Sequence, residues 1–535
     1  MMRPVRAIHV SLNLRHREVV EINKIASDQI EGSATRRAVL EGWGSQTGRG
    51  QSAIYAVALA ASIALWFVAI RAPLWLDETF SYWQISGGFR RIVERRGLVS
   101  AVYPCILWLA TKIAGTSEIA LRIPSILAML AAVYMLYRAA RELFDRDVAL
   151  IILVIFCVHP IVVFAAIDAR PYAFGVLAMN TAIFLLVRLR HSSSKWMAAA
   201  FGVAAALSTH FQLLFGAVLP ALAICFLVAK AGNAKTLMRQ SLIALGAFAL
   251  VFFPIVPDLL KIFRYRQTYV FDRTAPDLVH LAATLAPGWL VFALPGIVLL
   301  AIGTKNLNFR GTIEGWCFLA CTSLGLIPIL ILYGVSVLTP TNVFVARYRL
   351  IAIPGTALLW GWLISRIDSR LLRLLFCVAV VSTAAYDELS SPHSKQHSYT
   401  WKYALELAEK NAVTDNATVL ICSDFPSADY FPMPSMSDVK DSGFFTPLSY
   451  YKLSVPVVGL PRALNDEAMR ISSEFVRKAA HRHERFLALG YRPSLETMQW
   501  VKKIAAPTHE VRALGEPDEI LVLEFTPRTD APESR

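Results

Sequence analysis

Asp77 and Glu78 are adjacent carboxylates in "PLWLDETFSYW" (73–83), set among Trp75, Phe80, Tyr82 and Trp83 directly after an apolar run. Two neighbouring carboxylates repel, and flanking aromatic rings strip water from them. One of the two is therefore expected to hold its proton more tightly than an ordinary acid. That suits a general base or a shared-proton pair. The plainer reading is a solvated helix end just beyond a membrane span. A carboxylate at the bilayer centre costs roughly 2.5–3.5 kcal/mol on insertion scales. Asp77 lies seven residues beyond Ile70, which places the pair at the interface rather than in the hydrocarbon.

Other chemistry-bearing residues fall at similar places. "AIDARPYAF" (166–174) sets Asp168 and Arg170 between two apolar runs. From Asp147 to Asp168 a continuous helix would rise about 32 Å, one bilayer thickness. The short turn then holds both side chains at the membrane surface, where a mutual salt bridge is the plainer reading. "LRIPS" (121–125) puts Arg122 at the outer end of the second span, and "VARYRL" (345–350) puts Arg347, Tyr348 and Arg349 at that of a later one. Snorkelling arginines and an aromatic-belt tyrosine are the bland alternative. His210 in "LSTHFQLLFG" sits near an outer helix end, and a lone histidine is more often structural. Carboxylates can deprotonate a hydroxyl, and arginines can grip a phosphate bidentately. Together, on one side of a membrane, they fit group transfer from a lipid phosphate to a hydroxyl.

The elements that must position these residues are membrane helices. The 535-residue chain is 56% hydrophobic and 17% charged, with mean hydropathy +0.49. A soluble domain is nearer one quarter charged. Several apolar runs reach about 18 residues, the length that spans a bilayer. About eleven are expected, near 53–70, 122–138, 148–166, 171–188, 196–210, 212–229, 241–257, 281–303, 314–337, 349–364 and 371–386. The net charge of +14 would point to nucleic acid on a soluble protein. Here Lys and Arg fall mainly in short loops, so the charge reads as membrane topology, with no nucleic-acid partner. Of the seven cysteines none forms a CxxC pair, and Cys317 and Cys321, four apart on one helix, read as buried structural thiols.

Basic loops at Arg138/Arg141/Arg146, Arg188/Arg190/Lys195, Lys230/Lys235/Arg239, Lys305/Arg310 and Arg366/Arg370/Arg373 share the side of Arg36, Arg37 and Arg49 if the spans alternate. The positive-inside rule puts that side in the cytoplasm. The loops 71–121, 167–170, 258–280 and 338–348 then face outward. Arg90, Arg91, Arg95 and Arg96 in the first outer loop resist the rule and point to an anionic ligand there. Residues 1–50 read as a cytoplasmic, disordered tail and 51–386 as a transmembrane catalytic domain. Residues 387–535 read as a small extracytoplasmic α/β domain, with strand-like runs "ATVLICSD", "LSVPVVGL" and "EILVLEF".

In these motifs the sequence resembles the membrane glycosyltransferases of the GT-C fold, nearest the protein O-mannosyltransferase and aminoarabinose–lipid A transferase branch (glycosyltransferase families 39 and 83). The carriers are Asp77-Glu78 after the first span, "LRIPS" with Arg122, "DARPYA" (168–173), "STHF" with His210 and Arg347-Tyr348 before a late span. They run over about residues 53–365. The resemblance implies a polyprenyl-phosphate sugar donor, a site on the non-cytoplasmic face, and an acceptor hydroxyl on a lipid, glycan or protein. It implies Asp77 as base with Glu78 tuning it, inversion at the anomeric carbon, and a leaving phosphate held by Arg122, Arg347 and Tyr348. Asp168, Arg170 and His210 become supporting groups. The family more often carries Glu at the place of Asp168. Some relatives bind a divalent metal and others work without one, and Asp77, Asp168 and His210 are the ligands such a metal would take. The location implied is a bacterial inner membrane, with the N-terminus cytoplasmic and the C-terminal domain periplasmic. The rival readings are a lipid or sugar-lipid flippase and a non-catalytic relative that only binds a lipid-linked sugar.

Overall fold

The computed structural model describes residues 48–95, 101–229, 234–264, 276–285, 312–339, 341–367, 369–390, 400–491 and 494–529. Residues 1–47 of the tail expected over 1–50, Arg96 and most of the span expected over 281–303 lie outside the described residues.

Apolar sequence and explicit caps set the long helices. In Glu118–Leu143 the Ser117 hydroxyl accepts the Ala120 N–H, satisfying one of the first-turn donors that a helix leaves open. Its 26 residues rise about 39 Å, enough to cross a bilayer. Tyr172–Leu189 packs along it, and the Asn180 side chain donates to the Ala132 carbonyl at 2.9 Å. Among the described residues four helices are long and apolar enough to cross a membrane: Glu118–Leu143, Tyr172–Leu189, Ala234–Ile255 and Gly315–Leu338. The bent pair Arg146–Cys157 and Pro160–Ala166 together has the length and apolar composition of a fifth. The chain is a multi-pass membrane protein.

The bent pair corrects the straight span expected over 148–166. The two pieces meet at 74°. Pro160 has no N–H to continue the ladder. His159 instead caps the second piece, its Nδ1 accepting the Ile161 N–H at 3.2 Å. A second departure is at Arg122, which stands in the second turn of Glu118–Leu143 and is buried, not snorkelling at a helix end.

Close backbone approach anchors the segment that carries Arg347. A Cβ on Gly355 would lie 2.2 Å from the Leu324 carbonyl carbon. Only glycine therefore lets Ile353–Ser365 press so tightly on Thr312–Leu338. The connection between them delivers the short helix Ala346–Arg349.

The α/β expectation for the C-terminal region holds. Five strands, β1 Thr418–Cys422, β2 Val457–Leu460, β3 Phe486–Tyr491, β4 His509–Gly515 and β5 Ile520–Pro527, form one sheet in the order β2-β1-β3-β5-β4. β1 is parallel to β2 and β3, while β5 runs antiparallel to β3 and β4. Alternating side chains fill two cores. Val419, Ile421, Leu487 and Leu489 pack under Trp401, Leu405 and Ala408. Leu420, Cys422, Phe486 and Ala488 pack on Val476, Ala479, Met498 and Val501 from Asp466–His481 and Leu495–Ala505.

This sheet sits directly on the segment that follows the first apolar helix. The Tyr451 hydroxyl accepts the Leu74 N–H at 2.6 Å, and the Thr79 and Thr446 hydroxyls share a 2.9 Å hydrogen bond. Trp75 and Thr400 form an antiparallel bridge. The Trp83 indole donates to the Asp441 carbonyl at 2.7 Å, and Arg91 pairs with the Asp441 side chain.

Candidate active site

Leu76–Ile85 brings the carboxylates forward. Its N-cap is Trp75, a residue with no side-chain acceptor. Glu78, third in the helix, compensates by accepting the Trp75 backbone N–H at 3.3 Å. Asp77 in the same first turn faces the positive end of the helix dipole.

The two acids do not form a proton-sharing pair. Glu78 is fully buried, whereas the Asp77 side chain is 17% exposed. A substrate can reach only Asp77. Glu78 accepts from Arg122 Nε at 2.9 Å and Nη2 at 2.6 Å, and from the Ala169 N–H at 2.9 Å. Arg122 also donates to the carbonyls of Ile70 at 2.8 Å, Ala72 at 2.7 Å and Pro73 at 3.1 Å. A guanidinium has five N–H donors, and these five contacts use them all. The expected phosphate grip by Arg122 is thereby corrected. It ties the chain after the first apolar helix to Glu78 and has no donor left for a ligand.

Asp77 meets two other arginines. Its Oδ2 lies 2.7 Å from Arg347 Nη1 and 3.9 Å from Arg170 Nη2. Arg170 also donates to the Asp77 carbonyl at 3.3 Å, and its guanidinium lies over the rings of Phe80 at 5.9 Å and Tyr172 at 5.8 Å. The salt bridge considered between Asp168 and Arg170 is not what forms; Arg170 turns to Asp77. Tyr348 packs into the Ile329–Leu332–Phe344 cluster, and the Arg347 guanidinium stands 5.3 Å over its ring. Its contact with the site therefore runs through Arg347.

Asp168 is buried at the next turn. Its Oδ1 accepts from the Trp75 indole at 3.0 Å, and its Oδ2 has no hydrogen-bond partner among the described residues. Burial, with Glu78 close by, pushes this carboxyl well above the usual carboxylate range. A protonated Asp168 avoids the cost of a half-satisfied buried charge. The sequence marked Trp75 only as a ring flanking the carboxylates and did not mark Tyr172, although they stand two residues from Asp77 and from Arg170.

His210 lies at the end of Lys195–Phe211 and is half-buried. Among the described residues no three His, Cys, Asp or Glu side chains gather in a metal-binding group. Asp77 is engaged by arginines and Asp168 by Trp75, so the donor set Asp77, Asp168 and His210 does not fit a metal as it stands.

Asp77 brings one negative charge to two guanidiniums, while Glu78 and Arg122 cancel. This leaves a partly exposed cluster of two guanidiniums around one carboxylate. It can bind an oxyanion and take a proton from a group beside it.

Residues 99–260 match the family model of dolichyl-phosphate-mannose-protein mannosyltransferases. No curated protein matches the sequence. The structure resembles that of ArnT from Cupriavidus metallidurans, with a TM-score of 0.54 and 12% identity over 88% of this chain and 97% of that one. It also resembles the Archaeoglobus fulgidus oligosaccharyltransferase, with a TM-score of 0.48 and 12% identity over 90% of this chain and 75% of that one. Arabinofuranosyltransferase AftD from Mycobacteria is matched with a TM-score of 0.45 and 14% identity, over 82% of this chain and 36% of that one. The likeness to ArnT shows the fold, the GT-C fold of membrane glycosyltransferases.

Proposed function

We propose that the chain moves a sugar from a polyprenyl-phosphate carrier to a hydroxyl acceptor at the outer face of a bacterial inner membrane. About eleven crossings, with the N-terminus in the cytoplasm, give this orientation. They leave a membrane domain over 51–386 and an extracytoplasmic domain over 387–535. The match to a dolichyl-phosphate-mannose family model supports the donor class. So does the likeness to ArnT, a structure bound to undecaprenyl phosphate.

The observation that carries the reading is the accessible Asp77 carboxylate held between Arg347 and Arg170. The donor phosphate enters between the two guanidiniums, which partly exchange Asp77 for phosphate oxygens. Asp77, released from the tighter pair, accepts the proton of the acceptor hydroxyl as that oxygen attacks the anomeric carbon. The bond from that carbon to the phosphate oxygen breaks, and its electron pair leaves with the polyprenyl phosphate. Arg347 and Arg170 meet the charge that grows there. One displacement inverts the anomeric centre. Glu78 and Arg122 touch no reacting atom; they fix the backbone that aims Asp77. No step is routed through a metal.

The test is turnover of a labelled polyprenyl-phosphate hexose by the purified full chain in liposomes. Release of polyprenyl phosphate with an inverted sugar product is expected. A retained anomer would overturn the single displacement, and an untouched donor across several sugars would overturn the reaction.

A further inference from the structure

The α/β domain presents one particular edge to Asp77. The connection leaving β1 packs on the face of Val419 and Ile421, through Val439, Phe445 and Leu448. Those leaving β2 and β3 pack on the opposite face, through Val476 and Met498. Adjacent parallel strands whose connections part to opposite faces open a crevice at their carboxyl ends, the place where open α/β sheets take ligands. Here that place is Ser423, Asp424 and Phe425 after β1, and Arg462 after β2.

Packed rings link the end of β1 to the reactive carboxylate. Phe425 stands 5.9 Å from Phe80, and Phe80 stands 5.5 Å from Trp83. Phe80 is also the ring under Arg170, which reaches Asp77. An aromatic wall therefore runs from Asp77 to the end of β1. Polar groups stand at its far end. Asp424 is half-buried and accepts from the Trp401 indole at 3.2 Å. Arg462 Nε lies 3.8 Å from Asp429. Tyr430, next in sequence to Asp429, is exposed. The cavity beneath Asp424, closed by Leu76 and Trp401, measures only about 10 Å³, room for one water. That cavity is too small for a ligand larger than water.

Flat rings alternating with a carboxylate and an arginine suit a molecule with apolar C–H faces and many hydroxyls. A lipid tail would not use Asp424 and Arg462. We propose that the acceptor is a carbohydrate, lying along Phe80, Trp83 and Phe425 with hydroxyls on Asp424 and Arg462 and the attacked hydroxyl at Asp77. The proposal rests on the transfer reaction given above. The hydroxyl loses its proton to Asp77, its oxygen forms the new glycosidic bond, and polyprenyl phosphate departs.

The experiment supplies full-length protein with labelled polyprenyl-phosphate hexose and three envelope fractions in turn: protease-treated, delipidated glycan; total lipid; and protein. Label is expected in the glycan. In Phe425→Ala, and in Tyr430→Ala at an exposed position that tolerates change, the ratio of glycan transfer to donor hydrolysis should fall about tenfold. Transfer into lipid or protein alone, or an unchanged ratio in both variants, would overturn the carbohydrate assignment while hydrolysis kept the donor reading alive. No hexose release with any fraction would instead overturn the donor reading itself.

Discussion

Glu78 and Arg122 satisfy each other in the dark of the fold, through bonds of 2.9 Å and 2.6 Å between side chains with no exposed surface. Their remaining contacts are all to backbone, from Ile70 to Trp75 and at Ala169. The pair is thus the clasp that folds the chain back after the first apolar helix. Breaking one side of a buried ion pair costs about 3–5 kcal/mol because the other charge stays buried. Arg122→Met is expected to unfold the segment after the first apolar helix, seen as a lower melting temperature and loss of monodispersity in detergent. The double variant with Glu78→Leu should recover part of that loss. A well-folded Arg122→Met protein with only weaker donor binding would return Arg122 to the phosphate.

Thr446 and Tyr451 reach from the α/β domain to either side of Asp77, at Thr79 and Leu74. Each hydrogen bond contributes about 1 kcal/mol net. Their larger effect is on aim, since a small misplacement of a reacting group is costly. Thr446→Val with Tyr451→Phe should lower kcat for donor hydrolysis about tenfold while donor KM stays nearly constant. Thr446→Ser should restore most of the Thr446→Val loss. A change confined to melting temperature would reduce the contacts to simple domain docking.

Arg347 is expected to matter through its charge and its shape. Removing one preorganised donor from developing charge costs about 10²–10³ in rate. Arg347→Ala should lose about a hundredfold in kcat/KM for the polyprenyl-phosphate donor. Arg347→Lys should recover only part, because a point charge replaces a planar fork. Steady-state kinetics at varied donor checks both, and an Arg347→Ala enzyme with wild-type kcat/KM would contradict the clamp.

Much of the site was legible before any coordinates, and the reason is polarity. Asp77, Asp168, Arg170 and Arg347 are charges at the ends of apolar runs, where each charge is expensive and therefore visible. The role of Arg122 was not legible. Its partners are carbonyls of residues 70–73, and a carbonyl has no signature in sequence. The bend at His159-Pro160 was announced by the proline but hidden inside a hydropathy run of full length. The strand runs at 418–422, 457–460 and 520–527 showed as apolar stretches between polar ones. The docking of that domain was silent, because Thr79 and Thr446 lie 367 residues apart.

Asp424 is expected to make the α/β domain sensitive to pH. Burial raises its carboxyl from 3.8 to about 7, against the opposing pull of Trp401 and Arg462. The folded state then holds a proton that the unfolded chain releases at lower pH, so stability falls as pH rises from about 4 to 7 and levels off above. Thermal unfolding of the full chain across that range should show the decline in wild type and its reduction in Asp424→Asn. An identical profile in both would leave Asp424 without this role.

The central claim is that Asp77 takes the acceptor proton. It is tested most directly by sugar release from a labelled polyprenyl-phosphate hexose, wild type beside Asp77→Asn, with folding of both checked by melting temperature. A general base is worth about 10²–10⁴ in rate. A folded Asp77→Asn protein that binds donor but releases sugar at least a hundredfold more slowly is the expected result. Equal release by the two folded proteins would remove Asp77 from the centre of the reaction.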